Sequence, residues 1–159
     1  MTARPRLLRR VLLGAAAGAA GTTALNAVTY VDMALRGRPA SSTPEDTVSH
    51  ALEAAGLQLP GDEGTRANRL AGLAPLAGLA TGVCVGIGYG VAAGLRGTPR
   101  TVPGGLLVGA AAMAGANGPM AAFGTSDPRA WSAADWASDV VPHAAYGLVT
   151  AFTYRAGAD

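Results

Sequence analysis

Five polar residues stand out in a chain otherwise poor in charge: Asn26, Asn117, Asp139, His143 and Tyr146. Asp139 and His143 are four apart and Tyr146 follows three later, so one helical face carries a carboxylate, an imidazole and a phenol in a row. Such a row could relay protons or hold a polar ligand. Its plainer role is structural, with the carboxylate at an interface and the imidazole bonded to another helix. Asn26 and Asn117 suit hydrogen bonds between helices, and Gly118-Pro119 is expected to bend the chain beside Asn117. His50 and Glu53 form a solvated pair at i+3, with no third group spaced to complete a metal site. The single cysteine, Cys84, can form neither an internal disulfide nor a thiolate cluster. No nucleophile elbow, phosphate loop or metal-binding helix is present, so no catalytic, cofactor or metal residue is assigned.

These side chains must be positioned by unusually apolar elements. Only 14% of the residues are charged, against about 25% in ordinary soluble domains. Four stretches carry no Asp, Glu, Lys or Arg: Val11 to Val31, Leu70 to Leu95, Thr101 to Ser126, and Val140 to Tyr154. A hydrocarbon core of about 30 Å takes about 20 helical residues, which the first three supply. The fourth gains length from Ser132 and Asp135, a capping-box variant that starts a helix near residue 133. Trp131 and Trp136 then lie near one headgroup layer and Tyr154 with Arg155 near the other, and Pro142 should kink the helix. The expected fold is an all-α membrane bundle of four spans, about 11–34, 68–95, 102–125 and 133–154, forming one membrane domain. A soluble Ala-rich bundle is the alternative, but its helices should show a polar stripe, and Leu70 to Leu95 has none.

All 12 basic residues are Arg, and they border the apolar runs rather than forming the basic face that nucleic-acid binding needs. The lipid bilayer is the expected partner, with a second copy or other membrane proteins beside it. Arg4, Arg6, Arg9, Arg10, Arg96, Arg100 and Arg155 fall on one side; Arg36, Arg38, Arg66, Arg69 and Arg129 fall on the other. The positive-inside rule then puts both termini in the cytoplasm. Arg9-Arg10 before Val11, Leu12 and Leu13 also looks like part of a twin-arginine export signal, a reading opposed by the length of the first run. The polar loop, about 41–66, holds one short amphipathic helix with Thr43 as N-cap, Pro44 at N1 and Gly56 at its end. Pro60-Gly61-Asp62 should turn the chain toward the second span.

The most specific pattern is a glycine row in the second span: Gly78, Gly82, Gly86, Gly90 and Gly94, with Ala74 continuing it. Each helical Gly costs on the order of 0.5 to 1 kcal/mol relative to Ala, and close backbone packing is the compensation available inside a membrane. Four residues turn a helix by about 400°, so the row drifts about 40° per step and suits a crossing of about −40° over its middle. Gly14, Gly18, Thr22 and Asn26 on the first span form one counterpart; Gly105, Gly109, Ala111 and Gly115 on the third form another. A second copy of the chain is a further candidate, but partners tethered in the same chain are favoured.

The stretches Gly21-Thr22-Thr23-Ala24-Leu25-Asn26 and Gly37-Arg38-Pro39-Ala40-Ser41-Ser42-Thr43-Pro44-Glu45 resemble those of small uncharacterised membrane proteins of high-GC Gram-positive bacteria. Asn68-Arg69-Leu70-Ala71-Gly72-Leu73 and His143-Ala144-Ala145-Tyr146-Gly147 share the likeness, which implies a four-span inner-membrane protein and transfers no activity. The functional expectation is a non-enzymatic scaffold or membrane-complex component. The alternative is a small transporter or channel component using Asn26, Asn117 and the Asp139/His143 row.

Overall fold

Apolar residues here are mostly small, and the helices they build approach one another closely. The computed structural model describes residues 3–158, the side chains from Arg6 onward; the side chain of Arg4 lies outside the described residues. Among them are five α-helices and no strand: α1 Ala3–Arg36, α2 Thr43–Ala54, α3 Glu63–Arg96, α4 Thr101–Ala122 and α5 Ala133–Ala158. A 3-10 turn, Pro128–Ala130, precedes α5. Two helices are long and apolar enough to cross a membrane, over Arg6–Arg36 and Glu63–Arg96. α4 and α5 are shorter, at 22 and 26 residues, and α5 carries Asp135, Asp139 and His143.

The helix ends follow local chemistry. Asp62 starts α3 five residues before the expected 68, its carboxylate accepting from the Thr65 amide at 2.8 Å. The Thr65 side chain, together with that amide bond, holds the Asp62 carboxyl below its ordinary range. The cap is therefore present above the usual carboxylate range and weakens as acid protonates the group. α2 begins one residue earlier than expected: Ser42, not Thr43, is the N-cap, and it makes no side-chain capping bond. Ser41 Oγ instead accepts from the Thr43 amide at 3.2 Å. Gly56 ends α2 at φ +69, and the Leu57 amide reaches back to the Leu52 carbonyl at 2.9 Å, a Schellman closure. At α5, Ser132 and Asp135 exchange bonds as a capping box, 2.9 and 3.2 Å. α5 then runs through Pro142 to Ala158, beyond the expected end at 154.

α1, α3, α4 and α5 form an antiparallel bundle in which α1 packs on α3 and α5, α4 packs on α5, and α3 and α4 meet less closely. α3 and α5 lie diagonally. Across α1 and α3, Gly14 faces Gly86 and Gly18 faces Gly82: a Cβ on Gly14 would sit 2.5 Å from the Gly86 carbonyl oxygen. A Cβ on Gly86 would lie 2.6 Å from the Gly18 Cα, and one on Gly90 2.6 Å from the Arg10 carbonyl oxygen. The row leaves the seam at its ends. Gly78 has nothing within 4 Å, and Gly94 is covered by the Arg10 side chain instead of a backbone. Drift explains this, because four steps of about 40° carry Gly78 about 160° round the helix from Gly94. Thr22 still reaches Gly82, whereas Asn26, one step further, is exposed and outside the seam.

Gly105 and Gly109 do not serve the α3 row. They pack on α5, where a Cβ on Gly109 would stand 2.6 Å from the His143 carbonyl oxygen, and one on Gly147 would meet Gly105 and Gly109. Gly115 alone of that set faces α3, toward Thr81, and Ala111 is exposed.

Candidate functional site

α5 places its polar residues on the face directed into the bundle. Asp139 stands one turn after the capping box, near the end shared with α2 and the α4–α5 loop. Asn117 Nδ2 donates to Asp139 Oδ2 at 2.7 Å, tying α4 to α5. His143 Nδ1 lies 2.8 Å from the Asp139 carbonyl oxygen and 3.2 Å from Asp139 Oδ1. Both oxygens are acceptors, so the proton sits on Nδ1, and a neutral His143 keeps Nε2 as its open acceptor. Each carboxylate oxygen of Asp139 thus has a partner. The three side chains form a largely satisfied clasp between two helices, partly buried at 18% and 12% exposure for Asp139 and His143. Two ligands are all this set offers a metal, and no group of three ligating side chains occurs among the described residues.

Tyr146 does not join that clasp. It lies on the same face, as its spacing requires, but its ring crosses the middle of the bundle and its hydroxyl donates to the Gly82 carbonyl at 2.6 Å. Tyr154 does the same two turns later, donating to Gly90 at 2.8 Å; it is 3% exposed rather than placed at a headgroup layer beside Arg155. Thr150 lies between them, fully buried, its hydroxyl without a hydrogen-bond partner. The two rungs share one offset, eight residues along each helix. Removing one tyrosine hydroxyl should cost about 0.5–1.5 kcal/mol. Tyr146→Phe is therefore expected to lower the melting temperature in detergent modestly, with the helix content of circular dichroism unchanged.

The remaining candidates lie apart. Asn26 is exposed, with no side-chain hydrogen bond drawn to it among the described residues. His50 is exposed, and Glu53 accepts from Ser49 at 3.3 Å, so the His50–Glu53 pair does not form. At the end of α1, Asp32 meets Arg36 at 3.4 Å and Arg38 at 2.7 Å. Arg36 also donates to Ser138 at 2.8 Å, bridging α1 to α5 beside a hollow of about 150 Å³. A shallower groove of about 410 Å³ runs along the start of α3, lined by Leu59, Asn68, Arg69, Gly72, Leu73 and Leu76. Neither hollow reaches the Asn117–Asp139–His143 clasp.

Sequence reasoning missed Gly21, Gly147 and Ser138. The first two are single glycines off the main row: a Cβ on Gly21 would lie 2.8 Å from the Tyr146 carbonyl oxygen. The matching eight-residue spacings of Tyr146/Tyr154 and Gly82/Gly90 were the signal available for the cross-bundle rungs. Compared with protein-family models, curated proteins and solved structures, the chain shows no match.

Proposed function

We propose that the chain is an integral membrane protein of four spans, with both termini cytoplasmic, acting as a non-enzymatic scaffold or component of a membrane complex. The observation that carries this reading is an inverted distribution of side chains. The buried positions hold Ala17, Ala93, Ala112, Ala151, Thr150 and the inward tyrosines, while Leu35, Leu95 and Leu107 stand 83%, 75% and 70% exposed. A water-soluble bundle buries its large aliphatics; small residues inside and large ones outside suit hydrocarbon as the surrounding solvent.

Charge supports the orientation. Asp32, Glu45, Asp46, Glu53, Asp62, Glu63, Asp127, Asp135 and Asp139, nine of the ten acids, belong to the end that carries α2 and the α4–α5 loop. Seven of the twelve Arg belong to the opposite end. The satisfied clasp at Asp139, with a partner for each carboxylate oxygen, favours a structural role for the polar residues. The second reading, a transporter or channel component, draws on the open Nε2 of His143 beside Asn117 and Asp139.

One experiment tests both. In a Cys84→Ser background, an impermeant maleimide applied to intact cells should label Ser41→Cys and spare Thr98→Cys until the membrane is opened. Release of the chain by carbonate washing, or labelling of Thr98→Cys from outside, refutes the proposed topology. In liposomes, a scaffold leaves ion flux unchanged by His143→Ala; loss of a pH-dependent flux in that variant selects the transporter.

A further inference from the structure

The end of the bundle opposite the acids is a basic surface whose chemistry is unused by the clasp or the glycine seams. It gathers the start of α1, the end of α3, the start of α4 and the end of α5. Arg6, Arg9, Arg96, Arg100 and Arg155 are exposed there. Each ion pair among the described residues lies at the other end of the bundle, on Asp32, Asp127 or Asp139. Arg9 donates to the Gly157 carbonyl at 2.8 Å, so its guanidinium is held by backbone, and the Arg10 side chain packs over Gly94. Arg96, Arg100 and Arg155 make no side-chain hydrogen bond or ion pair among the described residues.

Just inside this ring the surface turns apolar: Leu7, Leu8, Leu95, Val102, Leu106 and Phe152 are all exposed. A cationic rim directly above an exposed aliphatic band matches one kind of molecule, an anion carried on hydrocarbon. The basic residues are all Arg, whose planar fork donates two parallel bonds to phosphate oxygens, where Lys presents a point charge. We infer that this end binds the phosphate headgroups of anionic phospholipids, with Arg96, Arg100 and Arg155 as the recognising residues and the acyl chains lying along Leu95, Val102 and Phe152. The inference rests on the four-span reading and deepens it by naming a partner.

The test uses the full chain reconstituted in vesicles of phosphatidylcholine with a minor share of phosphatidylglycerol, then extracted gently for native mass spectrometry of retained lipid. Phosphatidylglycerol should be retained well above its bulk share. Arg96→Gln/Arg100→Gln/Arg155→Gln should lower its ratio to phosphatidylcholine by at least about tenfold, given the attraction of each Arg to an anionic surface. Arg66→Gln/Arg69→Gln/Arg129→Gln removes the same charge from the acidic end and should leave that ratio within roughly twofold. Equal losses in both triple variants overturn the inference, since net charge alone would then decide retention. Displacement of the lipid by inorganic phosphate assigns the site to free phosphate and also overturns it. No enrichment in a chain that resists carbonate washing refutes the inference while leaving the four spans standing; a chain that washes out of the vesicles refutes both.

Discussion

Gly86→Leu is expected to prevent assembly of the bundle, with a loss of more than about 4 kcal/mol. A side chain there has no direction in which to move: its Cβ would lie 2.6 Å from the Gly18 Cα and 2.7 Å from the Gly18 nitrogen, both backbone atoms of α1. Relief requires α1 and α3 to separate along their length, which also draws Gly82 away from Tyr146 and Gly90 from Tyr154. The controls lie on the same helix. Gly78 and Gly88 have open space around the Cβ position, so Gly78→Ala and Gly88→Ala should be neutral or stabilising by about 0.5 to 1 kcal/mol. Thermal unfolding in detergent separates these outcomes. A Gly86→Leu protein melting with the wild type would remove the seam as the basis of the fold.

The second large effect is expected on the opposite flank. Gly147→Leu should separate α4 from α5, because its Cβ would stand 2.7 Å from the Gly109 nitrogen and 2.9 Å from the Gly109 Cα. The clasp should open with it, since the Asn117 bond to Asp139 spans the same pair of helices two turns away. A loss of roughly 3 kcal/mol or more is expected. The α1–α3 seam contains no part of this contact, so in thermal unfolding the losses from Gly86→Ala and Gly147→Ala should add to within about 0.5 kcal/mol in the double variant. A double-variant loss departing from the sum by more than about 1 kcal/mol would show that the flanks do not act separately.

Helix content and the α1–α3 seam were legible because each rests on spacing along one chain segment. Charge-free runs located α1, α3, α4 and α5, and the row at Gly82, Gly86 and Gly90 pointed to close backbone approach. The ends of that row were not legible as exits from the seam, because where a drifting stripe leaves its partner depends on where the partner ends. The choice of partner for Gly105 and Gly109 likewise needs tertiary placement, since any glycine pair at spacing four offers the same opening. Helical spacing puts Asp139 and His143 on one face, where their side chains stand 3.2 Å apart, and Asn117 was marked only as a partner for some other helix. Tyr146 was misplaced for a different reason: spacing fixes the direction of Cα to Cβ, but not how far a phenol reaches. The capping signals at Ser132 and Gly56 depended on neighbours alone and could be read directly.

The paired tyrosine hydroxyls on Gly82 and Gly90 act as a ruler between diagonal helices. Because both bonds demand the same axial alignment, a sliding movement of α5 along α3 would rupture them together, with no intermediate setting in which one survives. A piston stroke of α5 along α3 would therefore have to break both rungs in a single step.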